Sequence, residues 1–582
     1  MNCHRTSYLI IILTCLLLAA CSSAANRHDE QSGGKSHANP KDGGSITGGM
    51  FSAPEGMFNP LFYEDVYEAN IIDFVYEGLV KQDKDLSYTG QLAKSWQMNK
   101  DRTTITFHLN KHITWQDGEA FTADDVVFTY ASMADPDYMK TSGVHASYVV
   151  SLLGYEAFSG GKSANFKGVT ADDNHTVTFH FEKPAVNPMF IASSPIIPKH
   201  IFKDIPVKDM PDVSMERQNI IGTGPFQLDK ILEGKSYVLK RFSNYWQGKP
   251  HLDKITWKVI SQSSVVTQLQ AGKIDILANP DSIQPADYAL MTEFEHLKMM
   301  EQPDLSYQML AFKHHYRTKT DIEKQVLNPS HWIANTNVRD TQMRQAIAYA
   351  IDRNKLVKTL LDNHGEIAHS PIPSQSWAYY GKESDPYDFH PEKSRKLLDG
   401  LGYQDRDNDG FREDMSGEEW MLHLDYPAGD PLRAQSAQEI KHMLKNVGIR
   451  VKLRETKDMS VYVDTMVNDD PSWDLFLLGW QMEQSDPDPS NFWASRSSYN
   501  FSRWHNEVSD SLLKKGVSAP EAFKQAYRKK IYAKWQNLFM KDLPVLPLYT
   551  QHHLWVHHTR LHGIKVLPFT MYDSPHKWWI DG

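Results

Sequence analysis

The chain is predicted to be a mixed α/β protein, α+β in its finer organisation. Two signals interleave from about Ser45 to Gly582: the two-residue period of half-buried strands and the 3.6-residue period of amphipathic helices. At 582 residues it is long enough for two or three domains. Thr104-Ile-Thr-Phe-His-Leu109 and Thr176-Val-Thr-Phe-His-Phe181 alternate polar and apolar side chains, and Tyr237–Phe242 and Ile255–Ile260 follow the same rule. Thr122 with Asp125 three residues later predicts a capped helix to Ala131, with Val126, Val127 and Tyr130 on one face. Between Asp340 and Asn363, Met343, Ile347 and Ala350, then Leu356 and Leu360, recur at helical spacing. Asp352 is expected to cap the second helix and Gly365 to end it. Ala526–Met540 is a third amphipathic helix. There is no internal repeat.

The N-terminus reads as an export signal. Arg5 is followed by an apolar run from Tyr8 to Ala20, shorter than the about 20 residues a permanent span needs. Leu18-Ala19-Ala20-Cys21 matches the bacterial lipobox, which predicts removal of residues 1–20 and acylation of Cys21. The alternative is an ordinary signal followed by a chance cysteine. Ser22–Gly49 is rich in Ser, Gly, Asn, Asp and Lys, so a flexible tether is expected over 21–44. The three cysteines are Cys3, Cys15 and Cys21, so the mature chain would keep one. That excludes an internal disulfide, a Cys-based zinc site and any Cys nucleophile other than the acylated one. The net charge of −10 becomes −11 once the signal, with Arg5 as its only charged side chain, is removed. An acidic balance leaves no electrostatic footprint for nucleic acid. No second apolar stretch approaches membrane length.

A series of motifs runs through the rest of the chain. It begins with Asn59-Pro-Leu61, Phe74-Val-Tyr-Glu-Gly-Leu79, Gly90–Trp96 and Trp115-Gln-Asp-Gly through Phe128. It continues with Gly222-Thr-Gly-Pro-Phe226, Tyr245–Pro250, Leu252–Ile255, Leu269–Asp275, Val338-Arg-Asp, Arg344–Arg353 and Pro371-Ile-Pro373. It closes with Asp486-Pro-Asp-Pro489 and Leu546-Pro-Leu548. In residue type and order this series resembles the peptide and nickel solute-binding proteins of bacterial ABC importers, the oligopeptide- and dipeptide-binding family. The resemblance implies a two-lobed, periplasmic-binding-protein-like fold with an extra inserted domain and a hinge-closing cleft. By correspondence, 45–80, 195–302 and 545–582 form lobe I, 81–194 the inserted domain, and 303–544 lobe II. It also implies a peptide ligand and a membrane permease with cytoplasmic ATPases as partners. A monomer anchored at the extracytoplasmic face of the membrane is expected, with no cofactor and no catalysis. The same resemblance admits a nickel chelate, haem or an oligosaccharide as cargo, or peptide sensing without transport.

A peptide of unspecified sequence offers its backbone, which an added strand can pair, and its charged termini. An ammonium inside a cleft needs a carboxylate. The family keeps one in the loop after Trp480, where Glu483, Asp486 and Asp488 stand. Glu483 and Asp486 are equal candidates for the ammonium, while Trp480 and Asp488 are cleft-lining candidates. Asp488 also reads as an N-cap with Pro489 at the first helical position, and Asp486 as a turn initiator. Family dipeptide binders hold the cargo carboxylate with an Arg. Leu477 stands three residues before Trp480, a departure that favours longer peptides.

Other motifs read as structure. Gly222-Thr-Gly-Pro225 lacks the Lys and Ser/Thr of a phosphate loop. Asp405-Arg-Asp-Asn-Asp-Gly410 has the first half of a calcium loop, but its twelfth position is Ser416, so a hairpin turn and no metal are expected. His314-His315 and the group His552, His553, His557, His558 and His562 read as structural or solvated. A secreted hydrolase is disfavoured by the absence of Gly-x-Ser-x-Gly and His-Glu-x-x-His.

Overall fold

The computed structural model describes residues 39–455, 459–469, 472–482 and 486–581. The signal, Cys21, most of the tether and Glu483 lie outside the described residues. Strand β1 (Ser45–Met50) and helix α1 (Ala69–Val75) open the fold. The inserted domain follows, with β2 (Ala93–Met98), β3 (Thr104–Leu109), α2 (Ala123–Ala134), β4 (Val169–Asp173) and β5 (Thr176–His180). Its antiparallel sheet has the order β2-β3-β5-β4. The alternation read in β3 is realised, with Ile105, Phe107 and Leu109 buried and their polar neighbours less so. Thr122 N–H donates to Asp125 Oδ2 at 2.9 Å, which starts α2 where the capping pattern placed it.

Chain returning to lobe I forms β6 (Phe226–Leu232), β7 (Ser236–Arg241), β8 (Lys254–Val259) and β9 (Ile276–Leu277). Then β10 (Leu297–Pro303) leads through Asp304 and Leu305 into β11 (Ser306–Phe312), the first strand of lobe II. Lobe II continues with α3 (Thr341–Ala350), α4 (Arg353–Leu360), β12 (Gly365–Ile367), β13 (Met421–Tyr426), α5 (Pro431–Lys445), β14 (Arg450–Glu455), β15 (Leu475–Gln481) and α6 (Gln525–Asp542). The last long strand is β16 (Val545–His558). The main sheet has twelve strands in the order β14-β13-β15-β11-β16-β9-β1-β8-β7-β6, with β10 and β12 also paired to β16.

Strand β16 stitches the lobes together. Val545–Tyr549 pairs with β11, Tyr549–Gln551 with β12, and His552–His558 with β10. One continuous strand therefore serves both lobes, changing partners near residue 551. Lobe II has its own core, which reaches Tyr549. The inserted domain's core takes Leu61, Phe62 and Leu79 from before position 81 and Ile196, Phe202 and Met210 from after 194. The remainder of lobe I packs in two clusters, one around Trp257, Trp555 and Trp578 and one around Leu269, Ile274 and Val556.

Asp340 and Asp352 cap α3 and α4, accepting from Gln342 N–H at 2.7 Å and Lys355 N–H at 2.9 Å. Helix α4 stops at Leu360, and Asp362 and Asn363 take the left-handed turn expected of Gly365. Gly365 instead opens β12, where a Cβ would lie 2.8 Å from Thr550 O. Gly222 is a close approach of a different kind, since a Cβ there would sit 1.7 Å from Val75 O. Among the described residues, no helix is long and apolar enough to cross a membrane.

Candidate functional site

A cavity of about 560 Å³ opens where the lobes meet. Lobe I supplies Tyr63, Asn70 and Asp73, the crossing segments supply Asp304, His553 and Trp555, and lobe II supplies Gln481 at the end of β15. A second cavity of about 250 Å³ lies between lobe I and the inserted domain and shares Asp73, Phe569 and Thr570 with the first. The larger volume falls in the range of roughly 300–1,000 Å³ found for ligand pockets.

The backbone of β15 is the other feature of this wall. All seven of its residues pair with β11, but on its opposite edge only Leu475 and Phe476 pair with β13. From Leu477 to Gln481 that edge has no ladder partner among the described residues; Tyr462 Oη caps Leu477 O at 2.9 Å, and the stretch beyond it to Gln481 is left open. An unpaired strand edge is a template for an added strand.

The carboxylates along the two cavities differ in what compensates them. Glu77 accepts from Tyr245 Oη at 2.7 Å, Trp246 Nε1 at 2.9 Å, Thr223 Oγ1 at 3.0 Å and Gln91 Nε2 at 3.2 Å. Burial still raises its pKa against those four donors. Asp573 is paired with Lys81 and with Lys565 at 3.2 Å. Asp304 accepts from Ser306 Oγ at 2.6 Å and Leu305 N–H at 2.6 Å and faces His553 Nε2 at 3.4 Å. Burial pushes its pKa up, but His553 and these donors hold it below the ordinary value. Asp73 has neither hydrogen-bond donor nor ion-pair partner among the described residues. It is the one exposed residue of α1, open to the cavity yet surrounded by protein at longer range, and desolvation pushes its pKa from 3.8 up to about 7.

Helix α1 is held so that Asp73 faces the cavity. Asn70, one turn earlier and buried, donates through Nδ2 to Asn279 O at 2.7 Å. Its Oδ1 accepts from Asn279 N–H at 2.9 Å and Tyr572 Oη at 2.6 Å. Residues three apart share a helix face, so fixing Asn70 aims Asp73.

The residues expected from sequence lie elsewhere around the cleft. Trp480 is half-buried, its ring stacked on Phe492 at 4.5 Å and Phe501 at 5.7 Å. With Asp488 and Tyr307 it lines a void of only about 10 Å³. Trp480 and Asp488 line this small void and not the large cavity; the next residue along β15, Gln481, does line the large one. Burial raises the pKa of Asp488, which accepts from Ser490 Oγ at 2.7 Å and Ser490 N–H at 3.3 Å. The helix there begins at Ser490 with Pro489 at the cap position, one residue later than the capping pattern implied.

Asp486 accepts from Asp488 N–H at 2.9 Å, the turn read from sequence, and forms an ion pair with Arg528. The Arg528 guanidinium also donates to Gly516 O at 2.9 Å and Tyr532 Oη at 2.9 Å and lies over the Trp377 ring at 5.3 Å. This pair lines a cavity of about 230 Å³ at the mouth, between lobe II and the inserted domain. Beside it, the Arg102 guanidinium of the inserted domain sits 4.4 Å over the Phe523 ring of lobe II.

Asp405, Asp407, Asp409 and Glu413 bring four carboxylates within 4.8 Å of one another, a hard-cation donor set on a surface turn outside the cleft. Arg450 donates to Asp409 at 2.5 Å, and Gly410 N–H donates to Asp405 at 3.0 Å. Of the histidines near the C-terminus, His552, His553, His557 and His558 lie along β16, and His562 lies in a short strand after it. His557 is buried, which lowers its pKa to about 4, and His314 is pushed well below the ordinary range by burial in lobe II.

A family model described as "Bacterial extracellular solute-binding proteins, family 5 Middle" matches residues 87–502. The oligopeptide-binding protein AppA of Bacillus subtilis is 28% identical over 590 residues, covering 100% of both chains. The solved structure of Bacillus subtilis AppA in complex with a nonapeptide superposes with a TM-score of 0.65 at 26% identity, covering 94% of this chain and 100% of that one. The ABC transporter substrate-binding protein CtaP of Listeria monocytogenes gives a TM-score of 0.73 at 25% identity over 93% of this chain and 100% of that one.

Proposed function

The chain belongs to the bacterial extracellular solute-binding proteins of family 5, and from that premise we propose that it captures oligopeptides between its lobes and passes them to an ABC permease. The unpaired edge of β15 beside the large cavity carries the peptide reading. Backbone N–H and C=O groups pair any peptide as an added strand, whatever its side chains. A metal chelate, haem or sugar would leave that edge unused. Closure of the lobes on cargo is a population shift toward the form that binds it better.

In this reading the cargo's terminal ammonium is met in the loop after β15. Asp486 is already compensated by Arg528, so Glu483 is the carboxylate left for that role. Cys21 carries the lipid, the tether holds the binding body at the extracytoplasmic face of the membrane, and the protein acts as a monomer without catalysis. Replacement of Cys21 by Ala is expected to release the protein from the membrane fraction.

Native mass spectrometry of the purified protein, followed by denaturing identification of what it carries, tests the reading. A ladder of peptides is the expected result. A single metal complex, haem or sugar with no peptide would contradict it.

A further inference from the structure

We propose that Asp73 is the anchor for a positively charged group of the cargo, an ammonium or guanidinium, so that the cleft favours basic peptides. The inference rests on the peptide reading above and adds a charge preference to it.

Four carboxylates line the two joined cavities, and three of them are compensated by the protein itself. Glu77 has four side-chain donors, Asp573 has Lys81 and Lys565, and Asp304 has His553 and Ser306. Asp73 stands apart among the described residues, at the place where the two cavities join. A carboxylate that faces a ligand-sized cavity with no protein partner leaves its counter-charge to come from outside the fold.

The surroundings favour a cation in particular. Tyr63, Trp555 and Phe569 bring aromatic rings to the wall of the same cavity, and ring faces attract ammonium and guanidinium groups. Lys81, the one Lys or Arg that lines either cavity among the described residues, is committed to Asp573. Asn70 fixes the helix face from which Asp73 projects, so the carboxylate is placed before cargo arrives. A pre-positioned charge of this kind sets which cargo is held more than how tightly any cargo is held.

The charge on the cargo has two sources, its α-amino group or a Lys or Arg side chain. The full-length protein and its Asp73→Asn variant are each loaded with a complex peptide digest in three forms: untreated, blocked at α-amines, and blocked at lysines. Retained peptides are identified after native separation. The wild type is expected to enrich cationic peptides, and Asp73→Asn to lose that enrichment by about tenfold while retaining neutral peptides. Loss confined to the lysine-blocked digest supports the inference, and loss confined to the α-blocked digest overturns it, because the reading above already places the α-amine at Glu483. Because Asp73 makes no hydrogen bond among the described residues, the Asn variant is expected to keep its structure, and its retention of neutral peptides verifies this. An unchanged peptide profile in Asp73→Asn overturns the inference alone. A wild type that retains no peptide from any digest overturns it together with the peptide reading.

Discussion

Two acidic positions at the cleft differ in a way that separates architecture from recognition. Asp486 lies in the motif-bearing loop after β15 and is locked to Arg528 at the cleft mouth. Asp73 lies on α1 and faces the deep cavity with no protein partner among the described residues. The first carboxylate is neutralised by the fold, and the second is left for something else to neutralise. The comparison teaches that a charged residue inside a recognisable motif can be a brace, while a recognition charge can sit in an unremarkable helix.

Replacing Arg528 with Met strands Asp486 in a partly buried site. We expect a loss of about 3 kcal/mol in stability, measured by urea denaturation, with little change in peptide selectivity. A neutral effect on stability would mean that the pair is not a brace. Asp73→Asn reverses the pattern, with no loss of fold stability and about tenfold lost on cationic cargo.

The pH dependence of stability sharpens the contrast. The folded pKa of Asp73 is raised from 3.8 to about 7, so between these values the folded state binds more protons than the unfolded chain. That contribution to stability is present below about pH 4 and is lost as pH rises through about 7. Asp73→Asn is therefore expected to melt at the same temperature as the wild type near pH 4 and higher than it above pH 7. Tyr63 and Tyr572, which face Asp73, titrate far above this window, and the Asp304–His553 pair is common to both proteins. A difference that shrinks with rising pH would contradict the unpaired carboxylate.

The smallest effect is expected at the mouth. Arg102→Ala removes the contact over Phe523, and a cation–π pair at such a site is worth about 0.5–1 kcal/mol. Small-angle scattering of the unliganded variant should show a larger radius of gyration, as the population shifts toward the open form. An unchanged radius would mean the contact does not help hold the lobes together.

Much of the fold was legible because its signals are local. The alternation in β3 and the caps at Thr122, Asp340 and Asp352 each depend on residues a few positions apart. The motif residues were legible as a series, but their work was not, because their partners are far away in the chain. Gln116 donates to Gly224 O at 3.0 Å and Phe226 O at 2.7 Å. Asp275 ties Thr47 N–H at 2.9 Å to Arg560 Nε at 2.8 Å. Arg344 and Arg353 hold carbonyls from β16 and the chain just before it, including Leu543 O at 3.0 Å and Pro547 O at 3.1 Å.

The cavity was out of reach for the same reason. Its wall gathers residues from α1, from the crossing segments, from the end of β15 and from the C-terminal loop, and no spacing rule links these pieces. One trace of Asp73 was present in the sequence: a single carboxylate within Ile71-Ile-Asp-Phe-Val75, where a buried helix has no use for a charge. Residue spacing does not place domain boundaries here, because β16 belongs to both lobes and the inserted domain borrows part of its core from flanking chain.

The most direct test is calorimetric titration of the wild type, Asp73→Asn and Asp486→Asn with one lysine-containing peptide that the protein is found to carry. The same peptide with every amine acetylated serves as the comparison. The account predicts that the wild type prefers the free peptide, that Asp73→Asn reduces this preference by about tenfold, and that Asp486→Asn keeps it. A preference that survives in Asp73→Asn and disappears in Asp486→Asn would contradict it.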